Sequence, residues 1–542
     1  MSTTVPPLSF NPAGIELDRR QGLSRQLYQA LRARVLDGRL ASGTRLPASR
    51  DLAAALAISR NSVVRAYDQL YAEGFIEGRV GDGTYVAQLS STGLGWPLHE
   101  QARSHNETRS PVGASLLVKG PSGENISTKV STGFSTGLPT ALSTDWLDLP
   151  VVSSSKVIHS GGLERVEKHH LKPPPGGPPR AFRVGVPAFD LFPFDVWAKL
   201  NAAFWRKPDL QQLCYGDSQG DARLRGLIAA YLRSSRGLQC TAEQIVITSG
   251  AQQGISLCAQ LLVDPGDVVA VENPGYRAAG HAFAVAGAEV RGVPVDGDGL
   301  DCTALGSLND CRLAYVTPSH QYPTGVVMSL PRRLELLDWA ERNNGWIVED
   351  DYDGEYRYSG APLAPLAALD RQGRVLYVGT FGKVAFPALR LGYLVLPPGL
   401  VNAFARRRAV DVRHSEVSTQ AVMAEFMAAG HFQRHIRRMR RAALARRDAL
   451  LAGWPKSLSG VGAMPTVVAG LHVTVPVDSI ERERDLIARA TEAGVEVNGL
   501  SSYWLPTTTP TQVRAGLVLG FAAVPPAAID AALARLAKAW QT

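Results

Sequence analysis

The stretch Tyr377-Val-Gly-Thr-Phe-Gly-Lys-Val-Ala-Phe-Pro-Ala-Leu-Arg-Leu-Gly-Tyr393 sets a lysine, Lys383, just beyond an apolar run. That run, Val375–Val378, is continuously apolar instead of alternating, as a strand buried on both faces must be. Four similar runs precede it: Gln244–Thr248, Val268–Glu272, Leu313–Thr317 and Trp346–Glu349. Helical stretches such as Leu330–Arg342 lie between them. This alternation predicts a parallel α/β sheet covered by helices. Ligands of open α/β sheets collect at strand C-terminal ends, so Lys383 is expected in a pocket there.

The residues around Lys383 sharpen that expectation. A lysine that loses its hydration offers a nucleophilic amine near neutral pH. Thr380 and Arg390 flank it as donors for an anion, the arginine in two-pronged fashion. Asp350 closes the strand Trp346-Ile-Val-Glu-Asp350, and Tyr352 follows it. Thr248-Ser249-Gly250-Ala251 leaves another buried strand and opens a helix, a place where free N–H groups cradle phosphate. Asn273-Pro-Gly-Tyr276 brings a tyrosine that can stack on a flat ring. An amine for a Schiff base, an acid for a pyridine nitrogen, phosphate donors and a ring clamp are the needs of pyridoxal phosphate. Taken singly, the acidic turn reads as solvated and the tyrosine as packed. The set carries the cofactor reading.

The N-terminal block has a different pattern. Leu23, Leu27, Leu31 and Val35 recur every four residues, with Gly38 as the stop. Ser49 and Ser59 start two further helices as N-caps, the last with Val63, Tyr67 and Leu70 facing inward. Phe75–Val86 then reads as two short strands around a Gly-Asp-Gly turn. Three helices and a β-hairpin make a winged helix-turn-helix. Its third helix opens with Arg60, Asn61 and Ser62 and continues to Arg65, residue types that reach base edges in a major groove. Residues 1–88 hold eleven arginines and eight acids, so placement matters more than net field.

Residues 88–179 are rich in Ser, Thr, Gly and Pro, end in Lys172-Pro-Pro-Pro-Gly-Gly-Pro-Pro-Arg180, and keep no sustained period. They read as a long, mostly disordered linker. The chain therefore divides into a head at 15–87, a linker at 88–179 and a cofactor domain at 180–542. With 542 residues, 45% hydrophobic, two or three domains are expected. There is no apolar run of membrane-spanning length and no secretory start. The net charge of +8 permits nucleic-acid binding without demonstrating it. Five cysteines without paired metal spacing fit a reduced cytoplasmic compartment.

Gly43-Thr-Arg45-Leu-Pro-Ala-Ser49-Arg50, Ser59-Arg60-Asn61-Ser62-Val-Val-Arg65, and Glu73-Gly-Phe-Ile with Gly81-Asp-Gly83-Thr84 resemble the GntR regulators. Many members place a DNA-contacting arginine where this chain has Val64. The motifs of residues 181–542 resemble the fold-type I, pyridoxal-phosphate-dependent aminotransferases. That likeness implies a large, parallel-sheet-rich domain and a smaller C-terminal α/β domain. It also implies that Tyr215, in Cys214-Tyr-Gly-Asp217, reaches the phosphate of the neighbouring subunit. Together the modules resemble the MocR family. This implies a homodimer, head-to-tail and domain-swapped, that binds double-stranded operator DNA. It would sense pyridoxal phosphate, or its amino-acid or amine adduct, to control vitamin B6 or amino-acid and amine metabolism.

Two departures limit the resemblance. Tyr322, in Pro318-Ser-His-Gln-Tyr-Pro-Thr-Gly325, stands where aminotransferases carry Asn, leaving His320 and Gln321 as candidate effector contacts. Val518 stands where they carry the arginine for a substrate carboxylate, with Arg514 a substitute four residues earlier. A working aminotransferase with an appended DNA-binding domain stays open as the alternative. So does a DNA binder whose C-terminal domain holds no cofactor. The helix His431–Arg447 carries seven arginines and reads first as a solvated face, second as a further DNA contact.

Overall fold

The structure is a computed structural model that describes residues 10, 12, 14–19, 22–79, 82–87, 160–169, 176–358, 363–455 and 457–541. Gly81 of the wing and residues 88–159 and 170–175 of the expected linker lie outside the described residues.

The head is built as its periodicity dictates. Helix α1 (Leu23–Leu36) buries Leu27, Leu31 and Val35, and Gly38 follows its end at φ +71°. Helix α2 spans Ser49–Ala55. Helix α3 (Arg60–Ala72) buries Val63, Ala66, Tyr67 and Leu70 against α1, and Ser59 caps it by accepting from the Ser62 N–H at 3.1 Å. Ser49 departs from expectation: it is the first helical residue and makes no cap, Ala48 being the cap position. The wing is a three-stranded antiparallel sheet in which β3 (Gly83–Val86) lies between β1 (Arg45–Leu46) and β2 (Ile76–Arg79).

The C-terminal half contains an eight-stranded sheet. Its strands are β4 (Ile245–Thr248), β5 (Val268–Asn273), β6 (Glu289–Asp296), β7 (Gly299–Leu300), β8 (Cys311–Val316), β9 (Trp346–Asp351), β10 (Val375–Thr380) and β11 (Gly392–Val395), in the order β4-β11-β10-β9-β8-β5-β6-β7. The centre is parallel, from β10 through β9, β8 and β5 to β6. The sheet is parallel-rich, as expected, with antiparallel margins: β11 runs antiparallel to both β10 and β4, and β7 turns back on β6. Val246, Leu313, Val348 and Leu376 pack on one face, under helices that include Ala251–Leu262. Ile245, Ile247, Tyr377 and Tyr393 pack on the other. Burial on both sides is what the unbroken apolar runs require.

A smaller sheet follows, with β14 (Ala515–Gly520) between β12 (His472–Val477) and β13 (Asn498–Gly499). Leu517 and Leu519 enter the core beneath helices Ile480–Glu492 and Pro526–Trp540.

Within the span expected to be linker, Gly161–Lys168 forms a helix capped by Ser160 and tied by Arg165 Nε to the Val285 carbonyl at 3.0 Å. The head docks on the large domain: Leu330 and Leu369 join its core, Arg32 donates to the Ala368 carbonyl at 3.1 Å, and Arg371 pairs with Asp37 at 2.8 Å. No described helix is long and apolar enough to cross a membrane.

Candidate functional site

A cavity of about 450 Å³ opens at the C-terminal ends of the central strands, and Lys383, three residues past β10, lines it. The Lys383 ammonium donates to the Gly185 carbonyl at 2.8 Å. Burial pushes its pKa down, only partly opposed by the carboxylates of Asp353 and Asp350. The result is an amine that sheds its proton more readily than a surface lysine.

Asp350, the fifth residue of β9, is 5% exposed. One of its carboxylate oxygens, Oδ2, accepts from the Tyr315 hydroxyl at 2.7 Å, while Oδ1 is buried with no partner among the described residues. Burial pushes the carboxyl up to about 7, against the lowering effect of the Tyr315 hydrogen bond. A buried carboxylate oxygen without a donor is costly unless a ligand supplies one.

At the other end of the cavity stand Gly250, Ala251, Thr380 and Arg390. Gly250, at φ +84°, caps the helix Ala251–Leu262, so free N–H groups and positive helix-end potential face the opening. Arg390 adopts φ +48°, unusual for a residue with a Cβ, and donates to the Ser249 carbonyl at 2.8 Å. A Cβ on residue 250 would stand 3.2 Å from the Arg390 guanidinium, so the glycine lets the two approach. Ser249 is set back, its own N–H donating to Gln253 Oε1 at 2.7 Å. The Thr380 hydroxyl accepts from the Gly382 N–H at 3.0 Å.

Tyr276, Tyr322 and Tyr352 line the same space, with Tyr322 edge-on to both others at ring separations of 5.8 Å. The Tyr276 hydroxyl donates to Gln252 at 3.2 Å, and burial pushes it up to about 12. The Tyr352 hydroxyl already donates to the His320 carbonyl at 2.8 Å.

The three residues expected to meet an effector are not in the cavity. His320 is 3% exposed behind its wall, its Nδ1 3.0 Å from Asp353 Oδ2. Gln321 is 1% exposed and spent internally, donating to the Pro274 carbonyl at 3.0 Å and accepting from the Thr324 hydroxyl at 2.6 Å. Arg514 is exposed and precedes β14, whereas the end of β14 beside the cavity residue His472 is Gly520. Six residues of strand put Arg514 about 20 Å from that end.

Tyr215 is 88% exposed, edge-on to His414 at 5.9 Å, and outside the cavity of its own chain. Sequence reasoning missed Gly185, Tyr315, Leu471 and His472. Tyr315 sits inside a uniformly buried strand, and the others approach through long-range packing that no local pattern signals.

On the head, Arg50, Arg60 and Asn61 are exposed at the α2 and α3 N-termini, and Arg60 donates to the Ser49 hydroxyl at 3.4 Å. Arg45 crosses the wing to the Asp82 carbonyl at 2.7 Å, beside Gly83 and Thr84. Arg65 stands apart, lining a cleft with Arg25, Tyr28 and Ser234–Gly237. In the arginine-rich helix, Arg446 pairs with Asp190 at 2.7 Å, Arg447 lies over Tyr358, and Arg440 holds the Glu355 carbonyl. Arg437, Arg438 and Arg441 stay exposed.

These features define a DNA-binding head joined to an aminotransferase-type domain, and comparison with known proteins agrees. Residues 23–86 match the bacterial regulatory proteins of the gntR family, and residues 182–492 match aminotransferase class I and II, a family that depends on pyridoxal phosphate. The chain is 33% identical to the probable rhizopine catabolism regulatory protein MocR of Rhizobium meliloti, across 94% of this chain and 92% of that one. It is 31% identical to the pyridoxine biosynthesis transcriptional regulator PdxR of Corynebacterium glutamicum, across 95% and 94%. Among solved structures it resembles a kynurenine aminotransferase of Pyrococcus horikoshii (TM-score 0.60, 27% identity, 71% of this chain and 95% of that one). An archaeal alanine:glyoxylate aminotransferase gives a TM-score of 0.62 at 26% identity, over 70% and 93%. The chain belongs to the MocR family of HTH-type transcriptional regulators.

Proposed function

We propose that this regulator binds operator DNA through its winged head and holds pyridoxal phosphate on Lys383. The cofactor, or its adduct with an amine or amino acid, then sets the affinity of the head for DNA. The observation that carries this reading is the unpartnered Asp350 oxygen in the cavity lined by Lys383 and Arg390. A protonated pyridine nitrogen is the donor that oxygen lacks. The Gly250–Ala251 helix end, Thr380 and Arg390 suit a phosphate, and Tyr276 a ring face, with the Ser249 carbonyl holding Arg390 in place. Tyr352 can serve the ring's phenolic oxygen only by giving up its bond to the His320 carbonyl. When bound, the cofactor supplies an aldehyde that captures primary amines. The protein lowers the Lys383 pKa, offers the Asp350 carboxyl to the ring nitrogen and encloses the ring among tyrosines. Borohydride reduction followed by mass spectrometry should find a pyridoxyl group on Lys383; an unmodified lysine at saturating cofactor would sink the proposal.

The raised Asp350 pKa gives a sign for pH dependence. A pyridinium needs the ionised carboxylate, and in the empty site that form is lost as pH falls through about 7. Through Asp350 alone, cofactor affinity should therefore weaken by up to ~10-fold per pH unit below 7. Lys383, needed unprotonated, acts in the same direction. Fluorescence titration of wild type and Asp350→Asn separates the two, because the variant should lose part of the slope.

Other parts of the proposal rest on surface chemistry. Trp205, Leu210, Leu213, Tyr215, Val410 and Val412 are large apolar groups left exposed. We assign them to a homodimer interface that brings Tyr215 to the partner's phosphate corner. Residues 88–179, as a connector between a head at 15–87 and a cofactor domain at 180–542, give enough chain for each head to make on the partner's domain the docking contacts it makes here on its own. All five cysteines are free thiols, in keeping with a cytoplasmic setting. The head contacts DNA through Arg45, Ser49, Arg50, Ser59, Arg60, Asn61, Ser62, Gly83 and Thr84; Arg65 is the residue its placement favours least.

A further inference from the structure

We infer that the second ligand of the cavity, beside the cofactor, is a primary amine that carries no carboxylate and has an apolar or aromatic body. The inference rests on the cofactor reading above and concerns what the rest of the cavity recognises. Among the residues that line it, only Lys383 and Arg390 are cationic. Arg390 lies at the phosphate corner and Lys383 is the amine that meets the aldehyde, so among the described residues that line the cavity no cation is left for another anion. A phosphate monoester brings about −1.5 to −2 charges at neutral pH, of which Arg390 offsets about one, while a protonated ring nitrogen would offset Asp350. The loaded cavity is therefore net negative and attracts an ammonium while repelling a carboxylate.

The rest of the lining agrees. Leu471 and His472 come from the small domain, and His472 Nε2 lies 2.9 Å from the Pro323 carbonyl. Burial holds the His472 imidazole well below its ordinary pKa, so it stays neutral. Val518 lies on the same sheet face, two residues before Gly520, which pairs with His472. It is fully buried and aligned with Thr474, whose hydroxyl donates to the Pro323 carbonyl at 2.6 Å. A carboxylate set against this wall would be desolvated without a partner, at a large cost. Tyrosine faces, by contrast, favour ammonium groups and apolar bodies.

The test is a matched pair on the full-length protein loaded with cofactor: phenethylamine and phenylalanine, which differ by one carboxylate. Visible absorbance of the cofactor and thermal shift report occupancy. The amine should half-saturate at a concentration ~100-fold or more below the amino acid. Equal or tighter binding of phenylalanine, or no response to either compound, overturns the inference while a normal cofactor spectrum leaves the parent reading intact. Failure to load cofactor at all overturns both. Leu471→Arg, at a residue that lines this wall, should strengthen phenylalanine binding by ~10-fold or more. A variant that keeps its cofactor absorbance yet gains nothing counts against the placement. The matched pair on unaltered protein decides the matter even where the buried arginine is not tolerated.

Discussion

Lys383→Ala protein is expected to lose all effector response while still binding operator DNA. The substitution removes the amine at the end of β10, and with it the hydrogen bond to the Gly185 carbonyl. The rest of the cavity keeps its anchors, because Arg390 is held by Ser249 and Asp350 by Tyr315. The variant can thus still take up cofactor through its phosphate, but without a covalent link and without the visible absorbance of the linked form. DNA affinity measured by fluorescence anisotropy, with and without cofactor and amine, should change with ligand in wild type and stay flat in the variant. A variant that responds normally would show that sensing does not pass through Lys383.

The second large effect is expected in the head. Arg60→Ala and Asn61→Ala each remove an exposed side chain at the N-terminal end of α3, where a helix laid in a major groove reads bases. Loss of a base-reading side chain costs about 1–3 kcal/mol, or about 5- to 150-fold in affinity, and relaxes preference at one base position. Neither residue belongs to the buried face made by Val63, Ala66, Tyr67 and Leu70, so folding should be preserved. Circular dichroism checks that point, and anisotropy at fixed salt measures the loss. Ser59→Ala would be a poor test: its hydroxyl caps the helix, and the variant would mix lost contacts with a fraying α3.

The strands that hold the site were legible because burial on both faces forces uninterrupted apolar runs. The apolar run Trp346–Glu349 marks a strand that spans Trp346–Asp351, and Val375–Val378 one that spans Val375–Thr380. The direction of a strand leaves no such mark, so β11, apolar like its parallel neighbours, gave no sign of running the other way. At the site, residues anchored to strand ends were placed by local order alone, and Lys383, Asp350 and Gly250 do converge on one cavity. Polarity misled at His320 and Gln321. Both are buried polar groups satisfied by neighbours distant in sequence, such as Asp353 and Pro274, and pairings of that kind cannot be read from a single chain. Arg514 failed for a geometric reason, since it lies at the opposite end of its strand from the cavity. The helix at Gly161–Lys168 escaped notice because two glycines open a short segment without a buried stripe.

The head docks on the large domain through Leu330. Leu330 begins the helix Leu330–Arg342, and three residues further on Arg333 clasps the carbonyls of Met328, Pro318 and Ala364 at 2.8–3.0 Å. Pro318 and Met328 bracket the loop that carries Tyr322 to the cavity wall. On the function proposed above, the cavity and the DNA reader would share a short mechanical path. Energy passed along any such path is conserved in both directions: a ligand that weakens operator binding tenfold must itself be held tenfold more weakly by the operator-bound protein. Each such decade is about 1.4 kcal/mol taken from the effector's own binding, so a regulator with a wide dynamic range has to accept a signal molecule whose apparent affinity depends on how much DNA is present.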